Sequence, residues 1–210
     1  MSKELAMRSR KSINKSDPIL MAAKDAFIER GFAATSKNDV AARAGTTKRT
    51  VYNNFGSKER LLDAVIDHAL TLFEASAPPL DPGADTIQIT QFCEVALQLT
   101  TWRAAIGLQR MLVTEGPNFP HLAERLSRRT SAALSEPLSR LLETRGSDET
   151  AAKQHAIRAI DLLTSKARLD RLVGLRQPYP LPPGKNALDE ADRRAVELAV
   201  QYLCGGRIGA

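Results

Sequence analysis

Apolar side chains recur at helical spacing through most of this chain. Ile19, Leu20, Ala23, Phe27 and Ile28 form the first set, and Gly31 follows as a stop. Pro18 suits the first turn of that helix, which starts near Ser16 or Asp17. Ser36 and Asp39 make a capping-box pair ahead of a short helix running through Ala44, and Gly45 closes it. Thr46 and Thr47 can cap a third helix, Lys48 to about Asn54, which Gly56 ends. Ser57 opens a fourth, carrying Leu61, Leu62, Val65, Ile66, Ala69 and Phe73. Pro78, Pro79 and the run Asp81–Gly83 then break the pattern. A single long helix is predicted from about Thr86 to Thr114. Phe92, Val95, Leu99, Trp102, Ile106 and Val113 lie on one face of it, with Leu97, Leu108, Met111 and Leu112 round the other side. A helix apolar on several sides belongs at the centre of a bundle. Two more helices are predicted at about 120–145 and 150–175, and a last one near 188–203 after a Pro-rich loop at 177–184. No alternating strand pattern appears, so the fold class expected is all-α.

Composition agrees with a folded chain: 43% of the residues are apolar and 26% charged, enough for a core inside a polar surface. Two cysteines, Cys93 and Cys204, cannot make a disulfide framework and suit a reducing compartment. The charged N-terminus lacks the apolar segment of a signal peptide, and no stretch is apolar for long enough to span a membrane. A cytoplasmic protein without membrane contact is expected. The net charge of +6 becomes informative when located. Residues 1–62 hold 13 basic and 6 acidic side chains, and the remainder is close to neutral. The excess sits in the first third, beginning with a polar, basic segment at 1–16 read as a flexible arm. That asymmetry points to a polyanion partner.

Three short helices in so few residues, the second and third joined at Gly45, form a helix-turn-helix. Val51 and Phe55, four apart, can anchor the third helix against Phe27, Val40 and Ala44. Thr47, Lys48, Arg49, Thr50 and Asn53 then face outward, where a helix lying in the major groove brings such side chains to base edges. Ser36, Lys37, Tyr52 and Lys58 stand at helix starts or at the rim, suited to phosphates. Double-stranded DNA is therefore the expected partner.

The run Phe27-Ile28-Glu29-Arg30-Gly31-Phe32, with Thr35, Val40–Gly45 and Thr47–Glu59, resembles the DNA-binding domain of the tetracycline-repressor (TetR) family over about residues 17–63. The resemblance implies a homodimeric transcription regulator, usually a repressor, that binds a palindromic operator and is released by a small ligand. It carries DNA contacts onto Lys37, Thr47, Lys48, Arg49, Thr50, Tyr52, Asn53 and Lys58. Arg49 stands where many relatives have a small residue or Pro, so base preference is not transferable. Residues 64–210 are then expected to form a helical ligand-binding and dimerisation domain, pairing through the last two long helices. Arg110, Glu115, Phe119 and Ala123 fall in a stretch similar to an efflux-regulator subtype.

An apolar bundle suggests a hydrophobic effector. Phe92, Trp102, Ile106, Met111 and Phe119 either line its cavity or form plain core. Arg103, in an apolar helix, either pairs within the bundle or reaches the surface by its stem. His68, His121 and His155 lack metal-ligand spacing, and no metal or cofactor is expected. With no Gly-rich phosphate loop, nucleophile elbow, HExxH or Cys-x-x-Cys pair, the chain is not expected to be an enzyme. A second reading is a DNA-bound scaffold of the same fold that acts through a protein partner at the loop 177–184.

Overall fold

The computed structural model describes residues 18–205. The basic segment 1–16 and the expected helix start at Ser16 or Asp17 lie outside them. Among the described residues there are nine helices and no strand. They are α1 (18–30), α2 (Lys37–Arg43), α3 (Lys48–Phe55), α4 (Lys58–Ser76), α5 (Thr86–Thr101), α6 (Arg103–Glu115), α7 (Pro120–Thr144), α8 (Glu149–Leu172) and α9 (Glu190–Leu203). None is long and apolar enough to cross a membrane.

The caps explain most boundaries. The Ser36 hydroxyl accepts from the Asp39 N–H, while the Asp39 carboxylate accepts from the Ser36 N–H at 2.8 Å, so two orphan donors of α2 are satisfied reciprocally. Asp85 and Gln88 repeat the device at α5. Asp148 and Asp189 accept from the N3 amides of α8 and α9.

The chain divides into two compact units. The first holds the described residues up to Thr71 together with Arg110–Leu122. Ile19, Phe27, Val40, Val51, Leu61, Leu62, Val65 and Ile66 are buried there. Phe27 packs on Phe32 with ring centroids 5.5 Å apart, and Phe32 meets Phe119 edge-on at 5.2 Å.

The second unit comprises Leu72–Gln109 and the chain from Ala123 onward. Its core joins Phe92, Ala96 and Leu97 of α5, Leu134, Leu138 and Leu141 of α7, Ala156 and Leu163 of α8, and Val196 and Leu203 of α9. The expected single helix 86–114 is two helices. Trp102 is extended, with φ −65° and ψ 150°, and ends α5. The cause is a distant segment: the Tyr179 N–H donates to the Thr101 carbonyl at 3.2 Å, and the Arg103 N–H donates to the Tyr179 carbonyl at 3.1 Å. This one-residue parallel bridge between Trp102 and Tyr179 takes the place of helical bonds. The Thr100 and Thr101 hydroxyls bond back to carbonyls of the preceding turn, Leu97 among them, and occupy acceptors at the helix end.

The same loop is tied down by Gln98. Its side-chain oxygen accepts from the Gly184 N–H at 2.7 Å, and its amide donates to the Asn186 carbonyl at 3.1 Å. Beneath lies a buried ionic cluster. Arg171 donates to Asp192 at 2.7 Å, both side chains being about 1% exposed. The Tyr179 hydroxyl donates to the same carboxylate oxygen at 2.5 Å, and the Arg171 guanidinium stacks 4.7 Å from the Tyr179 ring centre. Arg176 pairs with the other oxygen at 2.9 Å and also with Asp189. Burial first, then the Asp192 carboxylate, pushes the Tyr179 hydroxyl well above its usual range, so it stays a donor.

Candidate nucleic-acid interface

Ala44 caps the C-terminal end of helix α2. Gly45, at φ 63°, turns the chain, and the Thr46 N–H donates back to the Ala41 carbonyl at 2.9 Å. A left-handed residue here lets α3 start at once in a new direction, which is why glycine suits the position. Thr47 caps α3 by accepting from the Thr50 N–H at 3.1 Å, and the two threonine hydroxyls lie 2.9 Å apart. Gly56, at φ 69°, ends the helix, its N–H donating to the Tyr52 carbonyl at 2.6 Å.

Helix α3 buries one side chain fully, Val51, and half-buries Phe55. The expected anchors are therefore unequal: Val51 is fixed, while Phe55 lies at the edge. Val40 is buried with Phe27, and Ala44 is half-buried. Thr47, Lys48, Arg49, Asn53 and Asn54 are exposed, Thr50 is partly so, and Tyr52 is 60% exposed. The structure thus collects Thr47, Lys48, Arg49, Thr50, Tyr52 and Asn53 on one eight-residue helix and its cap, with Ser36 exposed at the start of α2.

The two lysines expected at the rim are already engaged. Lys37 donates to the Gly56 carbonyl at 2.7 Å and lies 4.8 Å above the Tyr52 ring. Lys58 donates to the Ala33 carbonyl at 3.0 Å and lies 4.4 Å above the Phe32 ring. The Ser57 hydroxyl, above all, holds the Glu59 carboxyl below its ordinary value, and the charges of Lys37 and Lys58 add to this. Behind the helices, Arg43 and Glu29 form a two-pronged pair at 2.7 Å in each bond, and Arg30 approaches Asp39 at 3.3 Å. Thr35 is a buried strut that the sequence did not mark as structural. Its hydroxyl donates to the Gly31 carbonyl at 2.8 Å and lies within 3.1 Å of the Ala26 carbonyl, pinning the end of α1.

The six residues considered for a ligand cavity scatter. Phe92 is buried in the core of the second unit, and Ile106 is buried. Trp102 is half-buried at the break between α5 and α6, and Arg103 is exposed. Met111 and Phe119 belong to the first unit, where Phe119 packs on Phe32. No group of three metal-ligating side chains is brought together among the described residues. Cys93 is buried and Cys204 exposed; burial pushes the Cys93 thiol up to about 12.

A short helix held from behind by buried apolar residues, with cationic and amide side chains exposed in front, defines a helix-turn-helix DNA-binding unit. Residues 19–65 match the family described as bacterial regulatory proteins, tetR family, and residues 87–201 match the AefR-like transcriptional repressor C-terminal domain. The chain belongs to the TetR family of transcriptional regulators. A TetR-family regulator from Mesorhizobium loti superposes with a TM-score of 0.74 at 20% identity, over 92% of this chain and 96% of that one. The flavonoid-responsive regulator FrrA gives 0.69 at 24% identity, over 91% and 96%. These likenesses are of fold. The HTH-type transcriptional repressor Rv3405c of Mycobacterium tuberculosis is 47% identical over 64 residues, 29% of this chain and 34% of that protein. The HTH-type transcriptional activator FasR of Mycolicibacterium smegmatis is 40% identical over 48 residues, 23% and 22% of the two chains. The chain spans about a third or less of the length of these curated relatives. The family and these relatives are regulators, not enzymes.

Proposed function

We propose that this chain is a homodimeric repressor that binds a palindromic operator and releases it on binding a small hydrophobic effector. The observation that carries the DNA contact is the outward face of α3, where Lys48, Arg49 and Asn53 are exposed while Val51 is buried behind them. Arg49 and Lys48 have the donor geometry for guanine, and Asn53 for adenine. Thr47, Thr50, Ser36, Tyr52 and Lys58 meet the sugar–phosphate backbone on either side.

Dimerisation is supported by α8. Leu162 and Leu169 are exposed seven apart on one stripe of α8, and exposed Val173 and Leu175 follow past its end. Two copies related by a twofold axis would present their α3 helices to successive major grooves, ~34–36 Å apart. An effector acts by favouring a dimer with another spacing, and its differential affinity for the two states limits the response. The sign of regulation rests on the C-terminal match, since the N-terminal segment is shared with both a repressor and an activator. The loop 177–184 of the scaffold reading is tied down at Tyr179 and Gly184, while Gln177, Pro180, Leu181 and Pro182 are exposed.

Selection of genomic DNA fragments with the purified protein tests this. Enrichment of a palindrome with half-sites one helical turn apart is expected. Broad enrichment without a palindrome would refute specific dimeric binding.

A further inference from the structure

Lys37 is the first residue of α2, a place where a cation opposes the positive end of the helix dipole. Its side chain turns away from its own helix. The ammonium reaches the Gly56 carbonyl, at the C-terminal end of α3, at a bond length of 2.7 Å in a partly buried setting. There it meets the negative end of a helix, where a cation is favoured. On the way it covers the Tyr52 ring at 4.8 Å. One side chain therefore ties the start of α2 to the end of α3 and fixes a ring that is 60% exposed on the outer face. Lys58 makes a similar pair of contacts, but its carbonyl partner is Ala33, in the loop after α1 and not on α3.

We propose that Lys37 is a positioning residue: its ammonium clamps the C-terminal end of the recognition helix and holds Tyr52, so that it acts on DNA through α3 and not as a phosphate ligand. The inference rests on the proposed DNA contact through α3. A lysine used as a phosphate ligand must leave its protein partners, whereas a clamp keeps them in the complex. The two roles differ in counterion release. A direct phosphate contact contributes about 0.9 to the slope of log affinity against log salt concentration, and a clamp contributes nothing.

The test measures operator affinity over a salt series for the wild type, Lys37→Met and Lys37→Arg, using the palindrome selected by the wild type and a random duplex of equal length. Backbone amide exchange is followed in the DNA-free proteins. Lys37→Met is expected to bind the operator about tenfold more weakly at every salt concentration, the scale of one charge-assisted hydrogen bond. Its salt slope and its random-duplex affinity should stay unchanged. Amides from Asn53 to Gly56 should exchange about tenfold faster than in the wild type, while those of α1 keep their protection. Lys37→Arg, which keeps the charge, should restore both readings.

A slope shallower by about 0.9 with unchanged exchange would overturn the proposal, as would equal losses on operator and random duplex. Unchanged operator affinity would overturn it too. Should Lys37→Met fail to fold, Tyr52→Leu removes the ring beneath the ammonium and should speed the same amides. Unchanged exchange of those amides in Tyr52→Leu would refute the clamp. Failure of the wild type to bind any duplex would sink the DNA reading and this proposal with it. The exchange arm would then still report whether the bond to Gly56 holds α3.

Discussion

Asp192→Asn is the sharpest perturbation of the buried cluster. Asp192 faces two guanidinium groups and one phenol. Arg176 is 21% exposed and keeps Asp189, so it survives the loss of the Asp192 charge. Arg171 is buried more deeply. It is about 1% exposed, and its other contacts include the Ala167 carbonyl at 3.0 Å and the Tyr179 ring. Asparagine keeps the shape and one acceptor, yet takes away the charge of the carboxylate that this buried guanidinium bonds directly. Removing one partner of such a pair costs roughly 3–5 kcal/mol, a large part of a typical stability of ~5–15 kcal/mol. At about 2–4 °C per kcal/mol for a chain of this size, the melting temperature should fall by on the order of 6–20 °C. The single tryptophan, Trp102, lies beside Tyr179 in the bridge and reports the transition by fluorescence. Urea unfolding at one protein concentration should show a lower midpoint with an unchanged slope. Adding Arg171→Met removes both charges and leaves an acceptor for Tyr179, and it should recover at least half of the loss. A cost below about 1 kcal/mol for Asp192→Asn, or a double variant weaker than the single one, would refute the reasoning.

Arg49→Ala should weaken operator binding by ~1–3 kcal/mol and relax preference at one base pair; a loss that is uniform over operator variants would remove Arg49 from base readout. Gly45→Ala should destabilise by roughly 1–2 kcal/mol in thermal melts, because φ is 63° there and no atom crowds a new Cβ within 4 Å, so backbone strain alone is felt. Gly45→Asn should cost less; equal losses would implicate packing. The Asp39 carboxyl is held below its ordinary value of 3.8, first by the Ser36 hydroxyl, then by the Ser36 N–H, and by Arg30. A depressed carboxyl contributes stability above its unfolded value and loses it as pH falls through its folded value. An acid titration should thus show α2 loosening below about pH 4, and Asp39→Asn should abolish that step. With a thiol reagent at neutral pH, exposed Cys204 should react in the native protein and buried Cys93 only on unfolding; equal rates would contradict the burial that raises the Cys93 thiol to about 12.

The first unit was legible because its signals are local. Ser36 with Asp39, Thr47 with Thr50, and glycines at 31, 45 and 56 each act within four residues of where they stand. A reader needs only cap chemistry and left-handed φ values to place the helix ends within a residue or so. The burial of Val51 and the exposure of Lys48, Arg49 and Asn53 follow from the helical period once those ends are set. Lys37 was placed but its partner was not, since Gly56 lies 19 residues away. The return of Arg110–Leu122 to the first unit is equally hidden, because no local rule says which stretch of a long apolar helix another unit will claim.

In the second unit the hidden features share one cause, which is contact between segments far apart in sequence. Leu99 to Arg103 read as helix interior, and they would be, without Tyr179 donating to Thr101 and accepting from Arg103. Arg103 drew notice because its neighbours are apolar, yet it is exposed; Arg171 sits in a polar run and is buried. Position along the helix decides this, not local polarity. Ala156, Ile160, Leu163 and Ala167 form a buried stripe on α8, and Arg171 is its next member at a spacing of four. On α9, Asp192 begins the stripe continued by Val196, Ala199, Val200 and Leu203. Two charges of opposite sign, each extending the apolar stripe of a different helix, must meet in the core or leave it unpaired. That pattern was in the sequence: a charged residue in register with an apolar stripe needs an opposite charge in register with another. Arg103 is exposed and needs no such counterpart, whereas Arg171 has Asp192, and the cluster around Tyr179 is where the two stripes end.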